Sequence, residues 1–164
     1  MVFKVYVMSF KGFLLIGLII VVVILILGFM MAFLSKNGDG HVLIGDKLPE
    51  CPDKPNCLCS EYAQNNHWIE PLSIDGLEAE KAWHLFRQMV EQSGGDIRVD
   101  QNFKLHAVYT TSFFKFNDDL MARLDNEKKL IHLRSESRIG HSDFGKNKQR
   151  LQDLCDAFYQ KARP

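Results

Sequence analysis

The stretch GFLLIGLIIVVVILILGFMMAFL, residues Gly12–Leu34, contains no charged side chain and decides how the rest of the chain is organised. A helix of this length reaches about 35 Å at 1.5 Å per residue, which exceeds the hydrocarbon thickness of about 30 Å in a typical bilayer. We therefore predict one transmembrane helix over residues 12–34.

Two other structures are compatible with an apolar run near an N-terminus. A cleaved signal peptide normally has an apolar region of about 7 to 15 residues before a small-x-small site. This run is longer and ends in Met31-Ala32-Phe33-Leu34. A buried core helix is disfavoured because a domain of this size could not surround such a helix on every face. An uncleaved anchor is the favoured interpretation.

Basic residues flank the apolar run unevenly. Lys4, Lys11 and the terminal amine precede it, whereas Lys36 after it is offset by Asp39. Because basic residues favour the cytoplasmic side, we expect a single-pass protein of the cell inner membrane, with its N-terminus in the cytoplasm and its C-terminal domain in the periplasm. The expected divisions are a cytoplasmic tail over 1–11, the span over 12–34, a tether over 35–47 and an extracytoplasmic domain over 48–164.

The composition restricts the class of partner. The chain has 164 residues, with 20 Lys plus Arg against 20 Asp plus Glu, so its formal net charge is zero. No global field then favours nucleic acid, which we do not expect as a partner. The chain also lacks a Walker loop, a glycine-rich dinucleotide fingerprint, an H-E-x-x-H motif and a G-x-S-x-G elbow, so no cofactor is predicted.

Periodicity after the tether indicates one α+β domain. A helix is predicted from the capping-box-like pair Asp75 and Glu78 to the break at Ser93-Gly94-Gly95. Apolar residues then alternate in stretches separated by polar turns, which is typical of antiparallel strands. A final apolar stripe from Leu151 to Ala162 predicts a closing helix. The simplest packing is an antiparallel sheet of about four to five strands with two helices on one face.

Four cysteines allow more than one chemistry. Cys51 and Cys57 lie six positions apart around two prolines, so they are the candidate disulfide in an oxidising compartment. Cys59 and Cys155 are either bridged to each other or separate, with Cys155 on an apolar stripe. A metal or redox module of Cys51, Cys57, Cys59 and His67 is the alternative, but the spacing matches no paired C-x-x-C arrangement.

The densest polar segment is RSESRIGHSDFGKNKQR, residues Arg134–Arg150. It covers a strand end, a glycine turn and a helix start, where backbone N–H groups and the helix dipole favour an anion. The candidate binding residues are Arg134, Ser135, Ser137, Arg138, Gly140, His141, Ser142, Asp143, Gly145, Asn147 and Arg150. Structural roles are also open to them, because Ser142 or Asp143 is a normal N-cap and Arg134 can pair with Glu136 on a solvated face.

Catalysis is not favoured. A hydrolase would recruit His141, Ser142 and Asp143, but adjacent residues on one turn rarely place nucleophile, base and orienting group in a hydrogen-bonded series. We expect a non-catalytic, membrane-tethered binding or envelope-associated module, whose Arg134–Arg150 surface contacts an anionic group or an envelope protein partner.

The aromatic run of Phe113, Phe114 and Phe116 is unusual for a strand end. It could cover the core, form a partner surface or contact the membrane. We favour a cover over the core.

Two motifs resemble a known family. They are Cys51-Pro52-x-x-Pro55-Asn56-Cys57, with Ser60 near it, and Arg134-Ser135-x-Ser137-Arg138-x-Gly140-x-Ser142-Asp143-x-Gly145-x-Asn147-x-x-Arg150. Together they resemble domain of unknown function 1499, found in bacteria and plastids, from about Leu48 to Phe158. Cys59 departs from the family, which more often has serine there. The resemblance implies an uncharacterised domain behind an N-terminal signal or anchor, with no established activity.

Overall fold

The computed structural model describes residues 10–37 and 46–162. The predicted fold class is confirmed: an N-terminal apolar helix precedes an α+β domain with an antiparallel sheet and two further helices. Most of the predicted cytoplasmic tail and of the predicted tether lies outside the described residues. In chain order the elements are α1 (Phe10–Asn37), β1 (Cys57–Cys59), β2 (Leu72–Ser73), α2 (Ala79–Gln92), β3 (Asp96–Gln101), β4 (Lys104–Thr110), β5 (Asn117–Asp125), β6 (Leu130–Ser137) and α3 (Lys146–Ala162).

Helix α1 is long and apolar enough to cross a membrane. Its most apolar window has a mean hydropathy of 3.4, and none of that window is buried against the rest of the structure. Length and hydropathy of this kind are shared by membrane anchors and signal sequences. The helix therefore has the dimensions of a membrane span.

The sheet has six strands, all paired antiparallel. The order is β1-β6-β5-β4-β3, and β2 also pairs with β6. Two short strands therefore share the outer edge of β6: β1 pairs near its C-terminal end and β2 near its N-terminal end. These short strands bring the sheet above the four to five expected from periodicity.

One face of the sheet, the helix face, carries the main core. Alternate residues of β4, β5 and β6 point toward α2 and α3, which pack on that face and on each other. The buried side chains include Leu105, Ala107, Leu120, Ala122, Ile131 and Leu133 from the strands and Ala82, Phe86, Val90, Leu151, Leu154 and Phe158 from the helices. Burial of these apolar faces is the main force that holds the helices on the sheet.

The opposite face, the second face, is covered by the chain around β1. The predicted disulfide between Cys51 and Cys57 is present, with a Cα–Cα distance of 5.7 Å. Its cysteines pack with Leu48, Cys59 and Met121 in a small apolar cluster. Cys59 and Cys155 are free thiols. Cys155 packs against the helix-face core, on the other side of the sheet.

Two local predictions are wrong. Helix α2 begins at Ala79, and Glu78 at its N-cap makes no side-chain capping hydrogen bond. Asp75 accepts a 3.0 Å hydrogen bond from Ser73, the last residue of β2, so the capping box does not form. Phe113 and Phe114 do not cover the core either, because the ring of Phe114 contacts Phe29 of α1 at 6.0 Å between centroids.

Polar contacts join the end of α1 to the sheet. The backbone N–H of Asn117 donates to Oγ of buried Ser35 at 2.8 Å. The guanidinium of Arg138 lies 3.5 Å from the carbonyl oxygens of Ser35 and Lys36. A cation at a helix C-terminus stabilises carbonyl groups that lack an intrahelical partner. The last turn of α1 is thereby fixed against β5 and β6.

Candidate functional site

A cleft of about 820 Å³ lies between the C-terminal half of α1 and one end of the domain. Its walls are α1, the loop between β4 and β5, and the segment from β6 to the start of α3. Apolar side chains line much of it, among them Leu27, Met31, Phe113, Phe114, Phe116 and Ile139. The volume lies within the range of roughly 300–1,000 Å³ that is usual for small-molecule sites. We call this space the cleft.

The polar end of the cleft is organised by Arg150 of α3. Its Nη2 donates to Oδ2 of Asp118 at 2.7 Å, and its Nη1 donates to Ser135 Oγ at 3.2 Å and to Asn147 Oδ1. The guanidinium carbon lies 4.4 Å from the centroid of the Tyr109 ring, in cation–π geometry. These contacts fix the position of the Arg150 guanidinium, and its positive charge offsets the negative charge of the buried Asp118 carboxylate.

Asn147 connects α3 to both chain segments beside it. Its Nδ2 donates to the carbonyl oxygen of Asn56 at 2.9 Å and to Ser137 Oγ at 3.1 Å, and its Oδ1 accepts from Ser135 Oγ at 2.7 Å. Asn56 in turn donates to the carbonyl oxygen of Gly140 at 2.9 Å. A fully used amide of this kind fixes one arrangement of the segment that bounds the cleft.

Asp143 caps the N-terminus of α3. Its carboxylate accepts hydrogen bonds from the backbone N–H groups of Gly145 at 3.1 Å and Asn147 at 2.6 Å. The sequence predicts that backbone N–H groups at this helix start favour an anion. Two of these groups are already occupied by the Asp143 carboxylate. Lys146 follows the cap, lines the cleft and makes no ion pair within the described part of the chain. The ammonium group of Lys146 can therefore form an ion pair with a negatively charged ligand.

Tyr109 closes the polar end from the side of β4. Its hydroxyl lies 2.7 Å from Ser93 Oγ, beyond the C-terminus of α2. Burial raises the pKa of Tyr109, although the hydrogen bond with Ser93 and the charge of Arg150 act in the opposite direction. The ring therefore stays neutral and provides an aromatic surface for the guanidinium.

A separate polar network occupies the second face. Asp119 accepts from Arg138 Nε and Nη2 at 2.8 Å each, and its Oδ1 lies 2.7 Å from His106 Nε2. Burial alone would raise the pKa of Asp119, but the hydrogen bonds from His106 and Arg138 together lower it. Because Arg138 also reaches the end of α1, this network fixes the domain to the helix.

Arg134 of β6 is 1% exposed. Its Nη2 donates to Glu136 at 2.6 Å, whereas its Nε and Nη1 find no hydrogen-bond partner among residues 10–37 and 46–162. Register places it directly between Met121 on β5 and Cys59 on β1. It therefore belongs to the second face and does not reach the cleft.

The candidate residues of the Arg134–Arg150 segment thus divide into separate groups. Strand alternation puts Arg134 and Arg138 on the second face and Ser135 and Ser137 on the helix face. The residues that line the cleft are Ser137, Gly140, Ser142, Asp143 and Arg150. Ser135 and Asn147 do not line the cleft but hydrogen-bond to each other behind its polar end. Gly145 allows the turn with its φ of +78. His141 is exposed and is not part of the lining.

The candidate set did not contain Tyr109, Asp118 or Lys146. Asp118 could have been found from the sequence. It occupies the same strand face as the apolar residues Leu120, Ala122 and Leu124, where a carboxylate is unusual. A carboxylate at an apolar position needs a buried counter-charge, and the matching arginine lies 32 residues later in α3.

The two alternative chemistries receive no geometric support. In the described ranges, no hydrogen bond joins the side chains of His141, Ser142 and Asp143 to one another, and the Asp143 carboxylate is used by the helix cap. Cys51 and Cys57 are bonded to each other, so they cannot serve as thiolate ligands for a metal.

No curated protein sequence matches this chain. Residues 47–158 match the family described as a protein of unknown function, DUF1499. The match covers the disulfide loop, the whole sheet, α2 and most of α3, and thus includes both motifs noted in the sequence. The chain therefore belongs to the DUF1499 family.

Proposed function

We propose that this protein is a non-catalytic binding module, held at the inner membrane by α1, that binds an anionic amphiphile in the cleft. The DUF1499 domain then faces the periplasm. The observation that carries the proposal is the combination of apolar walls with an exposed lysine. This lysine, Lys146, forms no ion pair with any described residue and lies one helical turn before Arg150, which Asp118 holds in place.

The topology rests on charge and on sulfur chemistry. Basic residues precede the apolar run in excess, which favours a cytoplasmic N-terminus. The Cys51–Cys57 disulfide is typical of a domain that folds in an oxidising compartment. Both features agree with a domain on the far side of the membrane.

The ligand class follows from the lining. Phenylalanine rings and aliphatic side chains favour a hydrocarbon chain, because burial of each methylene group contributes about 0.8 kcal/mol. At the other end, the carboxylates of Asp118 and Asp143 are satisfied by Arg150 and by backbone N–H groups. Lys146 is then free to bind a phosphate or carboxylate headgroup.

The proposal is tested by headgroup selectivity. The full-length protein in mild detergent is titrated with lysophosphatidylglycerol, which is anionic, and with an uncharged monoacylglycerol of the same chain length, which lacks the phosphate. Native mass spectrometry is the readout. A charge-assisted hydrogen bond of about 1.5–3 kcal/mol predicts that the anionic lipid binds at least roughly tenfold more tightly.

The matched variants are Lys146→Gln and Lys148→Gln, two neighbouring exposed lysines of which Lys146 alone of the two lines the cleft. Lys146→Gln should abolish the headgroup preference, and Lys148→Gln should keep it. Equal binding of the two lipids by the unmodified protein, or binding of neither, would contradict the proposal.

A further inference from the structure

Phe114 packs directly against a glycine of α1. A Cβ built on Gly28 would lie 2.2 Å from Cε1 of the Phe114 ring, so no side chain fits at this position without displacing the ring. The ring also meets Phe29 edge-on at 6.0 Å and stacks with Phe116 at 5.5 Å. The ring of Phe114, in the loop between β4 and β5, therefore packs into a notch in the surface of α1 at Gly28.

The notch lies inside the apolar run. Leu34 lies six positions after Gly28, so the notch is about 9 Å along the helix axis from the end of that run. Elements that lie in a membrane interface bury their apolar faces by about 5–10 Å. The seat of Phe114 therefore falls at the level where acyl chains meet headgroups.

The same side of the domain exposes further aromatic rings. Phe113 is 67% exposed, and Phe144, in the turn before α3, is 95% exposed. Phe144 also holds φ at +56, a conformation that bulky residues rarely adopt. Lys115 lies exposed between the rings of the loop. Aromatic and basic side chains together are typical of segments at a membrane interface.

We infer that the loop of residues 111–116, together with Phe144, is a second membrane contact of this protein, which seats the domain on the outer surface of the bilayer that α1 crosses. The partner is the lipid bilayer itself. The inference rests on the proposed function to the extent that α1 must remain in the membrane. It also explains how an acyl chain reaches the cleft, because the loop forms one of its walls.

The test uses the full chain in nanodiscs with Phe113→Trp, Phe144→Trp and Phe103→Trp. Phe103 is the matched control, because it is 39% exposed at the opposite end of β4 and packs on Trp83. Tryptophan fluorescence is recorded with phospholipids that carry bromine near the carbonyl end of the acyl chain, and quenching is compared with that of the unmodified protein.

Additional quenching at Phe113→Trp and Phe144→Trp, without additional quenching at Phe103→Trp, is the expected result. No gain at the first two positions in nanodiscs that retain the protein would overturn the inference and leave the anchor intact. An equal gain at Phe103→Trp would overturn the assignment to this loop. Failure of the full chain to remain with the nanodisc would overturn both the inference and the proposed anchor.

Discussion

Arg150 of α3 and Asp118 of β5 form an ion pair at 2.7 Å, in which the arginine side chain is 14% exposed and the aspartate side chain 4% exposed. The pair connects the first turns of the last helix to the start of a central strand. It lies at the polar end of the cleft, so its replacement would affect both the stability of the fold and the ligand binding that we propose. Variants must therefore separate the two contributions.

Replacement of Arg150 by Gln should destabilise the fold. The Asp118 carboxylate would remain buried without its counter-charge, and loss of one partner of a buried pair costs about 3 kcal/mol or more. Urea unfolding should show this loss, whereas Lys148→Gln on the exposed side of the same helix should change stability by less than about 0.5 kcal/mol. A loss below about 1 kcal/mol for Arg150→Gln would mean that the pair does not hold α3.

Replacement of Gly28 by Ala should release the aromatic loop without unfolding the domain. The new Cβ would collide with the end of the Phe114 side chain, which can rotate away and give up its seat. Cleavage by chymotrypsin at Phe113 or Phe114 in detergent should accelerate. Gly17→Ala is the control in the same helix, because no atom of the described residues outside that helix segment lies within 4 Å of a Cβ there. The notch would lose its assigned role if both variants were cleaved at the same rate.

Stability should decrease as the pH falls below about 6.5. The pKa of His132 is lowered, chiefly by burial. Below the ordinary histidine pKa, His132 is therefore protonated in the unfolded chain but still neutral in the folded chain, which favours unfolding. The charged groups that face this ring are Glu61, Arg123, Asp125 and Lys128. The free energy of unfolding is measured in urea at several pH values. In His132→Gln it should decrease less as the pH falls below about 6.5. An unchanged profile would assign the loss to other groups.

A second decrease should follow in more acidic solution. Although burial alone would raise their pKa values, hydrogen bonds and nearby positive charges lower the pKa values of Glu61, Asp119 and Asp125. These carboxylates therefore stabilise the fold above their ordinary pKa values near 4, and the contribution is lost as the pH falls through the lowered values. His132→Gln should leave the contribution of Asp119 in place, because the pKa of Asp119 is lowered by His106 and Arg138, and this part of the decrease is the internal control.

The disulfide should contribute about 2 kcal/mol, the value expected from loop entropy for a closed loop this short. Cys51→Ser with Cys57→Ser should lower the free energy of unfolding by that amount. Unreduced protein in urea should show two reactive thiols, Cys59 and Cys155. In the folded protein both should react slowly, since burial raises the pKa of Cys59 and raises that of Cys155 to about 11. Four reactive thiols without reductant would contradict the assigned pairing.

Local periodicity predicted the elements whose pattern is complete within one stretch. Helix α3 has an apolar stripe, and the long strands carry apolar residues at alternate positions, so both could be assigned from neighbouring residues. Strand β1 has three residues and β2 has two, and both exist only through pairing with β6, more than 50 residues away. No local pattern contains that information.

The candidate site was predictable in part for the same reason. The segment from Ser137 to Arg150 is continuous, and its glycine turn and helix start mark it in the sequence. Its opposite wall is Gly28 and Met31 of α1, and its aromatic wall is the loop around Phe114. A long apolar helix gives no indication of which side it presents to a domain, so the cleft appears only in three dimensions.

Photolabelling of the polar end tests the binding of an anionic amphiphile most directly. A lysophosphatidylglycerol with a photoactivatable diazirine near its phosphate is added to the full-length protein, and labelled peptides are mapped by mass spectrometry. We predict labels on Tyr109 and on residues 146–150, fewer labels in Lys146→Gln, and fewer from an uncharged monoacylglycerol that carries the diazirine at the corresponding position. Labels confined to α1, or equal labelling by the two headgroups, would contradict the account.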